Sequence, residues 1–208
     1  MANISLARLA SWLLMGIAFS IAIYTGSNGA FLLTSQNELA SAWDRGHHSP
    51  PPATAPGASN NAVKFGGVFN VQRPRLAVGQ PLAKMSVPAA DNWTGIILEG
   101  NDDRVLSGGP GHEVGSAYPG EPDNVVVSNH NTYSLQFSKL KAGDQIRLDT
   151  DYGRFVYRVV GRRVANADDR TITGHTGRAM LTFTTCYPLY LGAFATQRYV
   201  ITADLVTS

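Results

Sequence analysis

From about Lys64 onward the chain breaks into short segments rich in Val, Ile, Thr and aromatic residues, each closed off by Gly, Asp, Pro or Asn. That punctuation is what most limits the fold. Residues 94–98, 124–128, 144–149, 154–165, 179–185 and 198–206 read as strands, because β-branched and aromatic side chains suit a pleated, half-buried surface. Asp151-Tyr152-Gly153 between two of them is a hairpin signal. Helical periodicity is scarce beyond residue 64, with only a short turn at 135–140. No internal repeat is visible. Many short strands with turn signals and little helix predict an all-β sandwich or barrel.

The N-terminal third has a different character. Residues 6–24, LARLASWLLMGIAFSIAIY, carry one charge, Arg8, near their start. A bilayer core needs roughly 20 apolar residues as helix, so this segment predicts a transmembrane anchor. A cleaved signal peptide has a similar profile. However, no small-x-small site follows Tyr24 closely, and Ala40-Ser41-Ala42 lies too far downstream. Arg8 on the short N-terminal side predicts residues 1–5 in the cytoplasm and everything after residue 24 outside. The expected location is therefore the plasma membrane, crossed once, with the folded domain extracytoplasmic.

Residues 25–63 are expected to be stalk and linker. Within them, 36–45 predicts a helix capped by Ser35 and standing off the membrane. His47-His48-Ser49 and three prolines then lead into ATAPGASNN, a composition that cannot bury a core and reads as a partly extended tether. No other metal-ligating residue type clusters with the two histidines, so no metal site is expected there. The remaining residues, 64–208, form one folded domain.

The whole chain is 44% hydrophobic and 15% charged, which allows a core under a lightly charged surface. A net charge of +2 and the lack of a basic cluster exclude nucleic acid as an expected partner. Arg147, Arg154, Arg158, Arg162 and Arg163 fall at strand-like intervals and predict a solvated basic face.

The chain has one cysteine, Cys186, so no intramolecular disulfide is possible. A lone cysteine is often just a small buried hydrophobe, yet an unpaired thiol in an exported chain marks a candidate reactive group. Three residues stand at strand ends: His130 after Val125–Val127, Cys186 after the 181–185 run, and Arg198 before the last strand. If the last two strands pair antiparallel, Cys186 and Arg198 become neighbours at one rim. The trio has a coherent chemistry. A nearby cation favours the nucleophilic thiolate, and an imidazolium can protonate a departing amine. A guanidinium is always charged, so it can hold a carbonyl or a developing oxyanion.

Thr182-Phe183-Thr184-Thr185-Cys186-Tyr187-Pro188 followed by Gln197-Arg198-Tyr199-Val200-Ile201 resembles the signature of the sortase family, and the Cys-Tyr-Pro ending is similar to class D. Gly109-Pro110-Gly111-His112, Tyr118-Pro119-Gly120-Glu121-Pro122, the 124–130 run NVVVSNH and Leu140-Lys141-Ala142-Gly143-Asp144 extend the likeness over about residues 80–206. Two departures stand out. His130 sits between Asn129 and Asn131 where relatives usually have Gly-His-Arg, and Leu is usual where Thr182 or Phe183 stands.

The resemblance implies a closed sortase-type β-barrel of about eight strands with short helices, residues 64–208 being the catalytic domain. It implies a cysteine transpeptidase in which Cys186 attacks a C-terminal sorting motif of an exported protein and forms a thioacyl-enzyme. His130 then protonates the leaving amine, Arg198 positions the substrate and stabilises the oxyanion, and Thr185 lends its hydroxyl or backbone to the same pocket. An amine of a cell-wall precursor or protein accepts the acyl group, and no cofactor or metal is needed. Two competing functions share the sequence: a cysteine endopeptidase that releases the acyl group to water, and a non-enzymatic, membrane-tethered β module with an inert Cys186. His112 is expected to be loop structure, His175 exposed, Asp102-Asp103 and Asp168-Asp169 solvated, and Tyr187 and Tyr190 part of the groove or core.

Overall fold

A computed structural model describes residues 6–46, 73–131, 134–189, 191 and 194–206. The Pro-rich tether, with His47 and His48, and also Tyr190, lie outside the described residues. Eight strands follow a long N-terminal helix, α1 (Leu6–Gly46). They are β1 (Pro81–Val87), β2 (Trp93–Glu99), β3 (Gly111–His112), β4 (Asn124–Asn129), β5 (Gln145–Thr150), β6 (Gly153–Asn166), β7 (Met180–Tyr187) and β8 (Gln197–Leu205). A short helix, α2 (Asp103–Gly108), sits between β2 and β3. The strands close into a barrel in the order β1-β2-β3-β4-β7-β8-β6-β5, so neither β1 nor β5 is left as an open edge.

Period-two alternation decides what each strand buries. Val125 and Val127 of β4, Leu181 and Phe183 of β7, and Tyr199, Ile201 and Ala203 of β8 all belong to one interior core. Their neighbours in sequence therefore point outward. The 3-10 turn Leu135–Lys139 drives Phe137 into the same core, where its ring lies 4.6 Å from Phe183 and 5.1 Å from Trp93. Gly120, at φ +92, turns tightly because a side chain there would strike the Phe155 ring.

Two features of the barrel differ from the sequence expectation. β1 alternates properly, with Met85 and Val87 inward and Lys84 and Ser86 outward, but it lies among Pro, Lys and Gly residues that mask the pattern. The basic face is less solvated than expected. Arg154 pairs with Asp149 at 2.5 Å, Arg163 with Asp169 at 2.6 Å, and Arg162 Nη1 donates to the carbonyls of Ser138 and Leu140 at 2.7 and 2.9 Å.

The helix expected at 36–45 has no break at Ser35. It is the end of α1, and it packs on β1, β2 and α2. Gln36, Leu39, Ala40 and Trp43 recur at helical spacing and form the buried stripe, Trp43 joining Ile96, Leu98 and Val105. Gln36 also replaces a missing strand. β3 pairs with β2 only at Leu98 and Glu99, which leaves Ile96 unpaired on that side. Gln36 Oε1 accepts from Ile96 N–H at 2.8 Å, and its Nε2 donates to Gly108 C=O at 2.5 Å. Gly109 is required beside it, since a Cβ there would overlap the Gln36 amide.

Within residues 6–24 the described side chains Trp12, Leu13, Leu14, Met15, Ile17, Phe19, Ile21 and Ile23 are exposed. Among the described residues, no helix is long and apolar enough to cross a membrane. For the expected span the structure thus contributes a helix and an apolar surface, not a complete membrane-crossing segment.

Candidate active site

β7 is the strand on which the site is built. It pairs with β4 in parallel, from Asn124↔Met180 to Asn129↔Thr185, and with β8 antiparallel, with Cys186 opposite Arg198. Parallel pairing of strands far apart in sequence makes the C-terminal ends of β4 and β7 coincide. The next positions beyond Asn129 and Thr185 are His130 and Cys186, so the register sets them side by side. The antiparallel turn back into β8 brings Arg198 to the other flank of the cysteine, as the sequence geometry anticipated.

Alternation places all three on one surface. Residues 125 and 127, 181 and 183, and 199 and 201 face the core. By parity His130, Cys186 and Arg198 face outward, on the outer wall of the barrel. All three are half-buried. Arg198 Nη1 donates to Cys186 Sγ at 3.2 Å and reaches the Gln197 carbonyl at 3.5 Å. A permanent cation therefore lies against the sulfur, which is neither enclosed nor fully open to water. No hydrogen bond holds the His130 ring among the described residues.

Thr185, to which the resemblance assigned a place in the same pocket, does not share the outward face of the trio. It has the inward parity of Phe183, is 2% exposed, and is the register partner of the core residue Tyr199. Its hydroxyl faces the barrel interior, where it has no hydrogen-bond partner among the described residues. Only its backbone remains on the Cys186 side. The signal was present in the sequence: apolar Leu181 and Phe183 mark the odd positions as inward. Tyr187 follows the same parity and packs on the core, 6.1 Å from the Tyr199 ring in a stacked pair.

The segment between β6 and β7 crosses the outer wall over β6 and β8. Ile172 covers Val200 and Ala165 on the outward side of β8 and β6. The segment is fastened to the start of β4 by two adjacent residues. Asn124 Nδ2 donates to the carbonyls of Ile172 and Gly174 at 3.0 and 3.1 Å, and its Oδ1 accepts from Thr182 Oγ1 at 2.7 Å. Asp123 Oδ1 accepts from Thr176 N–H and Asn124 N–H at 2.7 and 2.9 Å, and its Oδ2 pairs with His175 Nδ1 at 2.6 Å. Burial alone would push the Asp123 carboxyl up. The hydrogen bonds from Thr176, His175, Asn124 and Gly177 outweigh it and hold the group well below the usual carboxylate range. His175 is exposed as expected, but it does have a partner.

His112 is not part of the site. It lies on β3 with inward parity and is fully buried, its Nδ1 2.9 Å from Glu99 Oε2 and its Nε2 3.0 Å from both Ala117 C=O and Ser116 Oγ. Ser116-His112-Glu99 has the bond order of a serine triad. Enclosure of His112, and the hydrogen bond that Ser116 Oγ accepts from Val126 N–H at 3.2 Å, leave it no access to a substrate. The acidic pairs are caps: Asp102 accepts from Val105 N–H and Asp169 from Thr171 N–H, each at 2.9 Å. Among the described residues, no cluster of metal-ligating side chains occurs.

A closed eight-stranded barrel with a thiol, an imidazole and a guanidinium on adjacent strand ends defines a cysteine-nucleophile fold of the sortase type. The sortase domain model matches residues 85–206, and the chain belongs to the sortase family. It is 38% identical over 113 residues to sortase D of Bacillus subtilis, a match spanning 53% of this chain and 57% of that protein's length. Among solved structures, the sortase D5 transpeptidase of Clostridium perfringens superposes with a TM-score of 0.58 at 25% identity, covering 64% of this chain and 82% of that one. Sortase E of Streptomyces avermitilis does so at 0.56 and 27%, covering 63% and 91%.

Proposed function

We propose that this chain is a membrane-anchored cysteine transpeptidase that cleaves a C-terminal sorting motif of exported proteins and passes the acyl group to an amine. The observation that carries the reading is the contact of Arg198 Nη1 with Cys186 Sγ at 3.2 Å, on an outward surface next to His130. In this reading the Cys186 thiolate attacks the scissile carbonyl carbon, and the carbonyl electrons move onto oxygen. Arg198 meets that oxyanion with a charge already in place, so little reorganisation is needed as the barrier is crossed. The C–N bond then breaks, and His130 gives its proton to the departing amine. The thioacyl-enzyme is released when an acceptor amine attacks the thioester, loses a proton to His130 and expels the thiolate.

The exposed apolar side chains between Trp12 and Ile23 support an anchor in residues 6–24, since water would not be their resting environment. With Arg8 inside, the barrel lies outside the plasma membrane, where exported proteins and cell-wall amines are met.

The test is mass spectrometry of the full chain incubated with peptides bearing C-terminal sorting motifs. A thioacyl adduct on Cys186, absent from Cys186→Ala, supports the reading. Added amine must then yield an amide product. Hydrolysed peptide alone at high amine concentration would identify an endopeptidase instead, and an unlabelled, unreactive Cys186 would sink both. Protease accessibility of the barrel on intact cells checks the anchor and its orientation.

A further inference from the structure

We propose that Asn129 and Ser134 are positioning residues for the His130 imidazole. The proposal rests on the reading of His130 as the proton donor to the amine that Cys186 displaces. His130 is the first residue beyond β4, so the ladder fixes its N-terminal side only. Its C-terminal side must be held by something else, and Ser134 is the residue that does so. Ser134 is fully buried. Its Oγ donates to His130 C=O at 2.9 Å, while its backbone N–H donates to Asn131 C=O at 3.0 Å. One residue thus grips two consecutive carbonyls, which sets ψ of His130 and the peptide plane that follows.

The grip has a direction built into it. A serine hydroxyl rotates freely unless its acceptor side is occupied. Asn129 Nδ2 donates to Ser134 Oγ at 3.3 Å, which leaves the hydroxyl proton for the His130 carbonyl. Asn129 is 4% exposed and has the inward parity of Val127, so the support stands behind His130 on the core side of the wall. Ser134 C=O in turn accepts from Phe137 N–H at 3.0 Å, and Phe137 is locked in the core. The chain of contacts runs from the aromatic core through Ser134 to the peptide of His130.

The same geometry accounts for the departure from Gly-His-Arg. A glycine before the histidine could not make this bond. Asn129 makes it although its Oδ1 stays buried without a partner among the described residues. A polar side chain buried with that defect is hard to explain as packing.

The experiment measures iodoacetamide alkylation of Cys186 in the full chain across pH, with His130→Ala as reference. His130→Ala is expected to change the wild-type pH profile. Ser134→Ala and Asn129→Ala are expected to move the profile at least halfway to that of His130→Ala. Ser134→Thr, which keeps the hydroxyl, is expected to restore the wild-type profile. Should Ser134→Ala fail to fold, Asn129→Ala carries the test alone, judged at matched thermal stability. A wild-type profile in folded Ser134→Ala or Asn129→Ala, with His130→Ala still altered, overturns the positioning role and leaves the function standing. A wild-type profile in His130→Ala overturns the reading of His130 itself.

Discussion

Cys186 and Arg198 are register partners on β7 and β8, and the arginine donates to the sulfur across that pair at 3.2 Å. The contact needs no loop to hold it, because two rungs of an antiparallel ladder set both backbones. It also fixes which substitutions are informative.

Arg198→Ala removes the guanidinium that donates to the sulfur while leaving the ladder intact. By analogy with the loss of a preorganised oxyanion donor, kcat/KM for thioacyl formation should fall by about 100- to 1,000-fold. Arg198→Lys keeps the charge without the planar fork and should recover part of that loss. Initial rates on a sorting-motif peptide decide the matter; an Arg198→Ala chain of wild-type rate would remove the arginine from the chemistry.

Thr185→Val tests the face on which Thr185 lies. The hydroxyl is buried without a partner among the described residues, and an unpaired buried polar group costs about 1–3 kcal/mol. The valine variant should therefore match or exceed the wild-type melting temperature at unchanged kcat/KM. A stable variant with a damaged rate would return the hydroxyl to the active site.

Asp123 should make the segment between β6 and β7 acid-sensitive. Its folded-state carboxyl titrates below the ordinary value of about 3.9, so its contribution is fully present above that pH. The contribution begins to decline below about 4, where the released carboxyl takes up a proton, and is gone only when the pH falls through the much lower folded-state value. Hydrogen-exchange protection in residues 170–178, measured against the intrinsic rate at each pH, should fall over that acid range in the wild type. Asp123→Asn should show fast exchange there already at pH 7. Slow exchange in the variant would mean that Asn124 suffices.

Gln36 should be worth measurable stability to the barrel. Gln36→Ala leaves Ile96 N–H and Gly108 C=O without their side-chain partner, at a cost of about 1–3 kcal/mol. Gly109→Ala should act in the same direction by displacing the Gln36 amide. Thermal melts of residues 64–208 against 35–208 extend the comparison: the longer chain should melt higher, and equal melting would show the docked helix end to be dispensable.

The strands from residue 124 onward were legible because their Val, Ile and Thr content and turn residues repeat the physics of a pleated surface locally. β7 ran two residues further and β6 one further at each end than the apolar runs suggested, since ladder bonds continue past the hydrophobic residues. β1 was hidden by Pro81 and Lys84, whose places are tolerated because one opens the strand and the other faces outward to Asp44 at 2.7 Å. The docking of the end of α1 was not legible for a different reason. The 36, 39, 40 and 43 stripe was readable, but what it would cover was not.

Cys186, His130 and Arg198 stood out in the sequence as candidates because residue type, strand-end position and the TFTTCYP context each depend on the local chain alone. The class of chemistry followed from those residues, as did the β character of the domain. Which face each residue took, and what stood behind it, was decided only in three dimensions. Thr185 and Cys186 are adjacent in the chain, yet the alternation of β7 and the closure of the barrel send one hydroxyl into the core and leave the thiol outside. Ser134 acquired its place behind His130 through a turn pinned by Phe137. Such contacts join segments that share no local code, and only the packing of the closed barrel brings them together.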